Sequence, residues 1–259
     1  MKAFLAITRV TLRQLLGGKR LLLFGLLALL PPVVMLLASR DLAEVGEFGL
    51  LTPASSPVVD AFHDAPIAIV FLIVLPVVSL ILGASTLGDE RRDRTLSFLM
   101  LRPLRRSVIT GAKLFAAWLG TTSIVSVSAA LAAAVVGLRI GDWSYVGPVA
   151  LAAAVSALAY TAVFMVLGYF TSRAVLLGLV YVFIWENGIT FAAVSLANVS
   201  LFRIGLSAYG GLVPESLSEL DEVLGSVAPG AGGAIAKALV IAVLAVFGSA
   251  SLLRRRDLL

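Results

Sequence analysis

The sequence predicts an all-α, polytopic membrane protein with six transmembrane helices, and two observations support this fold class. The first is the composition: 60% of the 259 residues are hydrophobic and 14% are charged, whereas soluble domains have about a quarter charged residues. The second is the recurrence of charge-free stretches along the whole chain. A helix of about 20 apolar residues crosses the hydrocarbon core of a bilayer. A soluble core cannot bury so many stretches of this length.

The six stretches define a single transmembrane domain that covers residues 1–259. The predicted spans are residues 21–38, 66–87, 110–138, 147–170, 175–198 and 235–253. The last span is short, but the long side chain of Lys237 lets its ammonium group reach the interface. Between the last two spans, residues 199–233 are predicted to form an external segment that covers the bundle.

The distribution of Lys and Arg predicts the orientation, because cytoplasmic loops have an excess of these residues. A cytoplasmic N-terminus places most of the 20 basic residues on the cytoplasmic side. An even number of spans also places the arginines at positions 254–256 there. We therefore expect a multi-pass protein of the cytoplasmic (inner) membrane of a prokaryote, with both termini in the cytoplasm and lipid all around it.

Several kinds of chemistry are excluded by the residues that the chain lacks. It has no cysteine and one histidine, His63, so disulfides, thiolate metal sites and histidine metal clusters are not expected. It has neither a G-x-x-x-x-G-K-[ST] phosphate loop nor an H-E-x-x-H motif. The sequence predicts no catalytic residue, no metal and no cofactor bound by this chain. The excess of Lys and Arg in the predicted cytoplasmic loops accounts for the net charge of +5. No nucleic acid is therefore expected as a partner.

The first twenty residues predict an amphipathic helix in the cytoplasmic interface. At 100° per residue, Lys2, Arg9, Arg13 and Arg20 lie in one narrow stripe, and apolar residues occupy the rest of the circumference. The apolar run that follows is too long for a signal peptide, so we expect this segment to be retained. Two interpretations stay open: a simple anchor, or an elbow helix that couples the membrane domain to a partner.

The loop over residues 88–106, GDERRDRTLSFLMLRPLRR, predicts a cytoplasmic coupling helix between spans 2 and 3. After a run of charges, Leu96, Leu99 and Met100 follow helical spacing, and Pro103 ends the helix. A loop that only fixes topology needs arginines but no cluster of large apolar residues, which must be buried against something. Docking to a cytoplasmic partner is the preferred interpretation; an interfacial helix without a partner is the alternative.

Glu186 is the one carboxylate well inside a predicted span, between Trp185 and Asn187. A charge at the middle of a bilayer costs about 3 kcal/mol even on lenient scales, so the side chain must face a cavity or another helix. One interpretation places Trp185, Glu186 and Asn187 on a translocation path. The other makes Glu186 a hydrogen-bonded residue that fixes helix packing.

At the loop after the second span, the sequence resembles the permease subunits of type 2 ATP-binding-cassette (ABC) transporters. The matching residues are Asp89, Glu90, Arg91, Arg92 and Asp93, then Thr95-Leu96, Phe98-Leu99, Arg102-Pro103 and Arg105-Arg106. The chain departs from the family pattern at Arg94, where the family commonly has glycine. The number of spans, the amphipathic N-terminus, the external segment and the basic tail agree with the family layout.

The resemblance implies that this chain works with a second permease chain, identical or related, and with two cytoplasmic ATPase subunits that bind ATP and Mg²⁺. It implies an exporter in which residues of the loop contact the ATPase. Polar contacts would come from Glu90, Arg91, Arg92 and Arg94. The apolar anchor would come from Leu96, Phe98 and Leu99, on the helix that begins around Thr95. Two alternatives remain: an intramembrane enzyme that acts on lipid or peptide through Glu186, and an assembly factor or sensor without transport.

Overall fold

A computed structural model of the chain describes residues 2–45, 68–93, 104–189, 200–213 and 230–256. All regular structure within these ranges is helical, which confirms the all-α class. Eight helical elements are numbered in chain order. They are α1 (Lys2–Leu15), α2 (Lys19–Val45), α3 (π-helical over Val70–Val74, then α-helical over Leu75–Arg92), α4 (Arg106–Ile140), α5 (Val146–Phe170), α6 (α-helical over Ala174–Val180, then π-helical over Tyr181–Ile189), α7 (Phe202–Gly210) and α8 (Gly230–Arg256).

Five helices within the described ranges are long and apolar enough to cross a membrane: α2, α3, α4, α5 and α8. They overlap the predicted spans 1 to 4 and 6. Their apolar parts are Arg20–Ser39, Val70–Arg92, Arg106–Arg139, Val146–Phe170 and Gly230–Arg254. The chain is therefore an integral membrane protein, and the count of six spans stays a prediction.

The described structure covers only the first part of the predicted span 175–198. The apolar helix Ala174–Glu186 is shorter than a full crossing. The backbone nitrogen of Leu201 lies 2.8 Å from the Glu186 carboxylate, whereas an unbroken straight helix would separate these two residues by about 22 Å. The chain therefore does not run as one straight helix from Ala174 to Leu201. Residues 190–198 of this prediction lie outside the described residues.

Helix α5 lies at the centre of the bundle, and it packs against α3, α4, α7 and α8. Small residues allow α3 to approach it closely. A Cβ atom added at Gly83 would lie 2.9 Å from the Thr161 carbonyl oxygen, and one added at Gly168 would overlap the backbone of Ala84. Such backbone contact through small residues is a common source of helix association in membranes.

The amphipathic N-terminal helix ends earlier than the sequence pattern predicts. Helix α1 stops at Leu15, and Gly18 adopts a left-handed conformation with φ 66°, which glycine adopts without steric cost. Arg20 therefore belongs to α2 and does not extend the basic stripe of α1. Helix α1 packs beside α4: the Thr8 hydroxyl donates to the Ala112 carbonyl at 3.3 Å.

Part of the predicted coupling loop and part of the predicted external segment lie outside the described residues. Residues 94–103 include five of the predicted site residues: Arg94, Thr95, Leu96, Phe98 and Leu99. In the external segment, residues 200–213 and 230–233 are described, and α7 is its described helix.

Candidate functional site

A cluster of charged residues lies where α3 ends and α4 begins. Its members, called the charged cluster below, are Arg20, Asp89, Glu90, Arg92 and Lys113. Asp89 accepts from the Nη2 atoms of two arginines, from Arg20 at 3.0 Å through Oδ2 and from Arg92 at 2.8 Å through Oδ1. Because Arg20 belongs to α2, Asp89 joins the ends of α2 and α3.

Glu90 joins α3 to α4. The Lys113 ammonium donates to Glu90 Oε1 at 2.5 Å and to the Thr86 carbonyl oxygen at 2.9 Å. Lys113 is 1% exposed. An ammonium group buried so deeply requires a charged partner and further acceptors, because its lost hydration costs several kcal/mol. Glu90 and Thr86 supply these contacts from the last turns of α3.

Arg91 reaches a third helix. Its Nη1 atom donates to the Tyr169 carbonyl oxygen at 2.5 Å, at the end of α5. Consecutive helical residues point about 100° apart, and Asp89, Glu90 and Arg91 therefore contact α2, α4 and α5 in turn. The end of α3, which contains the first residues of the predicted coupling loop, is thus bonded to three other helices.

A cavity of about 670 Å³ adjoins the charged cluster. It is called the α1 cavity below, because one wall is formed by α1. The opposite wall contains members of the charged cluster together with Asp93. Its lining residues are Ala6, Ile7, Val10, Thr11, Gln14, Leu15, Arg20, Ser85, Thr86, Asp89, Glu90, Asp93 and Lys113.

A second polar centre surrounds Glu186, which is 1% exposed. Its carboxylate accepts from the Tyr181 hydroxyl at 2.7 Å and from the Ser200 hydroxyl at 2.5 Å. It also accepts from the backbone nitrogens of Leu201 at 2.8 Å and Phe202 at 3.4 Å. These two backbone groups belong to the first turn of α7, where the helix dipole favours a negative charge. Within the described residues, at least four donors thus compensate the buried carboxylate.

The Glu186 centre lies deep in the bundle. Glu186 is twelve residues beyond Ala174, a rise of roughly 15–18 Å, which is about half the thickness of the hydrocarbon core. The Tyr181 ring packs edge-on against Phe164 of α5 at 6.2 Å between centroids. The first amide groups of a helix need hydrogen-bond acceptors from outside the helix, and the interior of a membrane does not supply water for this purpose. The Glu186 carboxylate supplies acceptors for two such groups of α7.

The described structure brings together some of the predicted site residues. Glu90, Arg91 and Arg92 lie together at the end of α3. Trp185 is half-buried, and within the described part of the chain its indole nitrogen has no hydrogen-bond partner. The side chain of Asn187 is not among those described.

Sequence reasoning missed the partners of these residues. Arg20 was assigned to the basic stripe of the N-terminal helix, and Lys113 was counted only among the basic residues of the cytoplasmic side. Tyr181 and Ser200 were not singled out. One signal was present for Lys113, which is a lone cation seven residues into a long apolar helix. Such a cation requires a partner. No group of three or more His, Asp or Glu residues suited to a metal ion occurs within the described ranges.

Long apolar helices packed around α5, with charges gathered at one end, define a polytopic integral membrane protein. A family model described as ABC-2 family transporter protein matches residues 18–202, more than half of the chain. The chain belongs to this family, and the resemblance to type 2 ABC permeases is confirmed. The match covers α2 to α6 and ends at the first residue of α7. No curated protein gives a significant match to the chain.

Proposed function

We propose that this chain is the permease subunit of an ABC exporter in a prokaryotic cytoplasmic membrane. Two permease chains, identical or related, form the conduit, and two cytoplasmic ATPase subunits bind ATP and Mg²⁺ and supply the energy. This chain has no nucleotide site and no catalytic residue of its own in this proposal. Membership of the ABC-2 family supports the proposal, since members are membrane transport subunits whose ATPase lies in partner chains.

The bonding at the end of α3 supports a coupling role for the loop that follows. The predicted coupling loop begins within the last turns of α3, and there Asp89, Glu90 and Arg91 bond to α2, α4 and α5. A partner that displaces the loop therefore moves the end of α3 against three membrane helices at once. This is the observation on which the proposed function depends.

The same geometry suggests different roles for the predicted contact residues. Glu90 and Arg91 are bonded within this chain, so in the proposal they transmit movement. Arg92 also bonds to Asp89, but its side chain is 62% exposed, and in the proposal it contacts the ATPase together with Arg94. Leu96, Phe98 and Leu99 supply the apolar anchor of the docking helix.

The Glu186 centre is proposed to border the translocation path with Trp185 and Asn187. Glu186 fixes the first turn of α7 against α6 through its bonds to Leu201 and Phe202. Holding α7 in this place shapes the deep half of the conduit. The bonds of Glu186 support a packing role, and in this proposal the same carboxylate also borders the path.

A pull-down experiment tests the coupling role. The tagged chain is expressed together with an ATP-binding-cassette ATPase subunit from the same genome, and the complex is purified in mild detergent. Combined Leu96→Asp and Phe98→Asp substitutions are expected to remove the ATPase from the complex, because two charges enter the apolar anchor. Membrane insertion of the variant is checked by its membrane fraction.

Leu258→Asp, which adds the same charge to the cytoplasmic tail, is the matched control and is expected to retain the ATPase. Retention of the ATPase by the Leu96 and Phe98 double variant would show that the loop does not dock it.

A further inference from the structure

The α1 cavity combines two kinds of wall. On the side of α1 it is mainly apolar, with Ala6, Ile7, Val10 and Leu15, and this wall also contains the polar side chains of Thr11 and Gln14. On the other side it is formed by charged residues at the ends of α2, α3 and α4. Its volume of about 670 Å³ lies within the range of small-molecule sites, about 300–1,000 Å³. The cavity thus suits an amphipathic ligand.

The charges at this wall are of both signs and are separated in space. Among the lining residues, Asp89, Glu90 and Asp93 are acidic, and Arg20 and Lys113 are basic. Arg92, which lies outside this lining, pairs with Asp89, so with it neither sign is in excess. A ligand with one positive and one negative group matches such a wall better than a ligand with a net charge.

Two of these residues have polar groups that can still bind a ligand in the cavity. The Arg20 side chain is 43% exposed, and its guanidinium has five N–H donors, of which the bond to Asp89 uses one nitrogen. The Asp93 side chain is 63% exposed, and its contact with Arg92 is long, at 4.0 Å. Arg20 can bind a phosphate, and Asp93 can bind an ammonium group.

The location of the cavity indicates a lipid as the occupant. Charged residues of membrane helices gather where the helices leave the hydrocarbon, so this end of the bundle lies at headgroup depth. Helix α1 presents two large apolar residues outward, Leu5 at 57% and Val10 at 55% exposure. In an integral membrane protein such residues contact acyl chains. The cavity is therefore open to both regions of a phospholipid.

We propose that the α1 cavity binds one zwitterionic phospholipid of the phosphatidylethanolamine type, with its phosphate on Arg20, its ammonium group on Asp93 and its acyl chains along α1. An anionic lipid would place an uncompensated negative charge beside Asp89, Glu90 and Asp93. The usual expectation for an arginine-rich segment is the opposite preference, for anionic lipid. The proposal depends on the membrane location of the chain and not on its transport function.

Native mass spectrometry of the full-length chain tests the proposal. The delipidated protein is titrated with dioleoylphosphatidylethanolamine or with dioleoylphosphatidylglycerol at equal concentrations. We expect one phosphatidylethanolamine per chain to be retained at least fivefold more than phosphatidylglycerol. Val10→Trp, which fills the cavity from the α1 side, is expected to abolish this retention. Equal retention of both lipids by the unmodified chain would overturn the proposal.

Two further variants sharpen the test. Leu5→Trp places the same indole on the same helix outside the cavity lining, and it is expected to retain the lipid. Asp93→Asn removes the proposed ammonium acceptor at an exposed position, so the chain should fold, and the fivefold preference is expected to disappear. A preference unchanged in Asp93→Asn would contradict the assigned headgroup orientation and with it the site, whatever the folding of Val10→Trp.

Discussion

The ion pair between Lys113 and Glu90 allows a quantitative test of how α3 and α4 are held together. Lys113 is 1% exposed, and Nζ contacts Glu90 Oε1 and the Thr86 carbonyl oxygen. Glu90→Ala leaves the buried ammonium with one of these two acceptors. Removal of one partner of a buried pair costs about 3–5 kcal/mol of stability. We expect the free energy of unfolding to fall by about 3 kcal/mol, because the Thr86 carbonyl oxygen still accepts from the ammonium group.

Substitution of the other partner, Lys113, should lower the free energy of unfolding by less than Glu90→Ala does. Lys113→Met replaces the ammonium by an apolar group of similar length and leaves the Glu90 carboxylate, whose side chain is 21% exposed. Water can hydrate a carboxylate with this exposure, so we expect a loss of about 1–2 kcal/mol. In the double variant neither charge remains, and the loss should be close to that of Lys113→Met alone. The expected coupling between the two sites is therefore about 3 kcal/mol, the whole loss of Glu90→Ala.

Equilibrium unfolding in mixed micelles of dodecyl maltoside with increasing dodecyl sulfate, followed by tryptophan fluorescence, measures these differences. Thr110→Ala, another polar residue of α4 near its beginning, serves as a comparison for the loss of one neutral hydrogen bond, about 1 kcal/mol. Strict additivity of the Glu90→Ala and Lys113→Met losses would refute the reasoning, since the two side chains would then not depend on each other.

The other two predictions concern the Glu186 centre and the orientation. Glu186→Leu removes the acceptor of four donors and should destabilise the chain by about 3 kcal/mol, whereas Tyr181→Phe removes one donor and should cost about 1 kcal/mol, both measured by the same unfolding assay. The chain has no cysteine, so single-cysteine variants report topology directly. Arg105→Cys and Ser144→Cys lie at opposite ends of α4, both exposed, and in intact cells a membrane-impermeant maleimide should label only Ser144→Cys.

The outcomes that would contradict these two predictions are distinct. A Glu186→Leu variant as stable as the unmodified chain would show that the carboxylate does not fix α7. Labelling of Arg105→Cys in intact cells would reverse the proposed orientation and place the coupling loop outside. Permeabilised cells, in which both cysteines must react, serve as the labelling control.

Hydropathy predicted most of the fold because lipid-facing and buried faces of a membrane helix are both apolar. The charge-free runs therefore marked α2, α3, α4, α5 and α8. The same property concealed the contact of Glu186 with Leu201. Residues 174–202 form one apolar run with a single carboxylate. Nothing in this pattern indicates that the chain does not continue as one straight helix.

The contacts of the site depend on helix register, which the sequence pattern does not contain. The predicted loop residues Glu90 and Arg91 were recognised from their order along the chain. Their partners Lys113 and Tyr169 lie on other helices, 23 and 78 positions away. Which residues contact each other depends on the axial positions of α4 and α5 relative to α3. Close contacts such as that of Gly168 with Ala84 fix these positions.

The carboxylate at the start of α7 also limits what the interior of the bundle can recognise. In other transporters, the positive end of a broken helix near mid-bilayer offers a binding place for an anionic cargo group. Here that electropositive end is already neutralised by Glu186 from the same chain. An anionic substrate therefore gains nothing at this point, and selection for negative charge would have to come from other residues of the conduit.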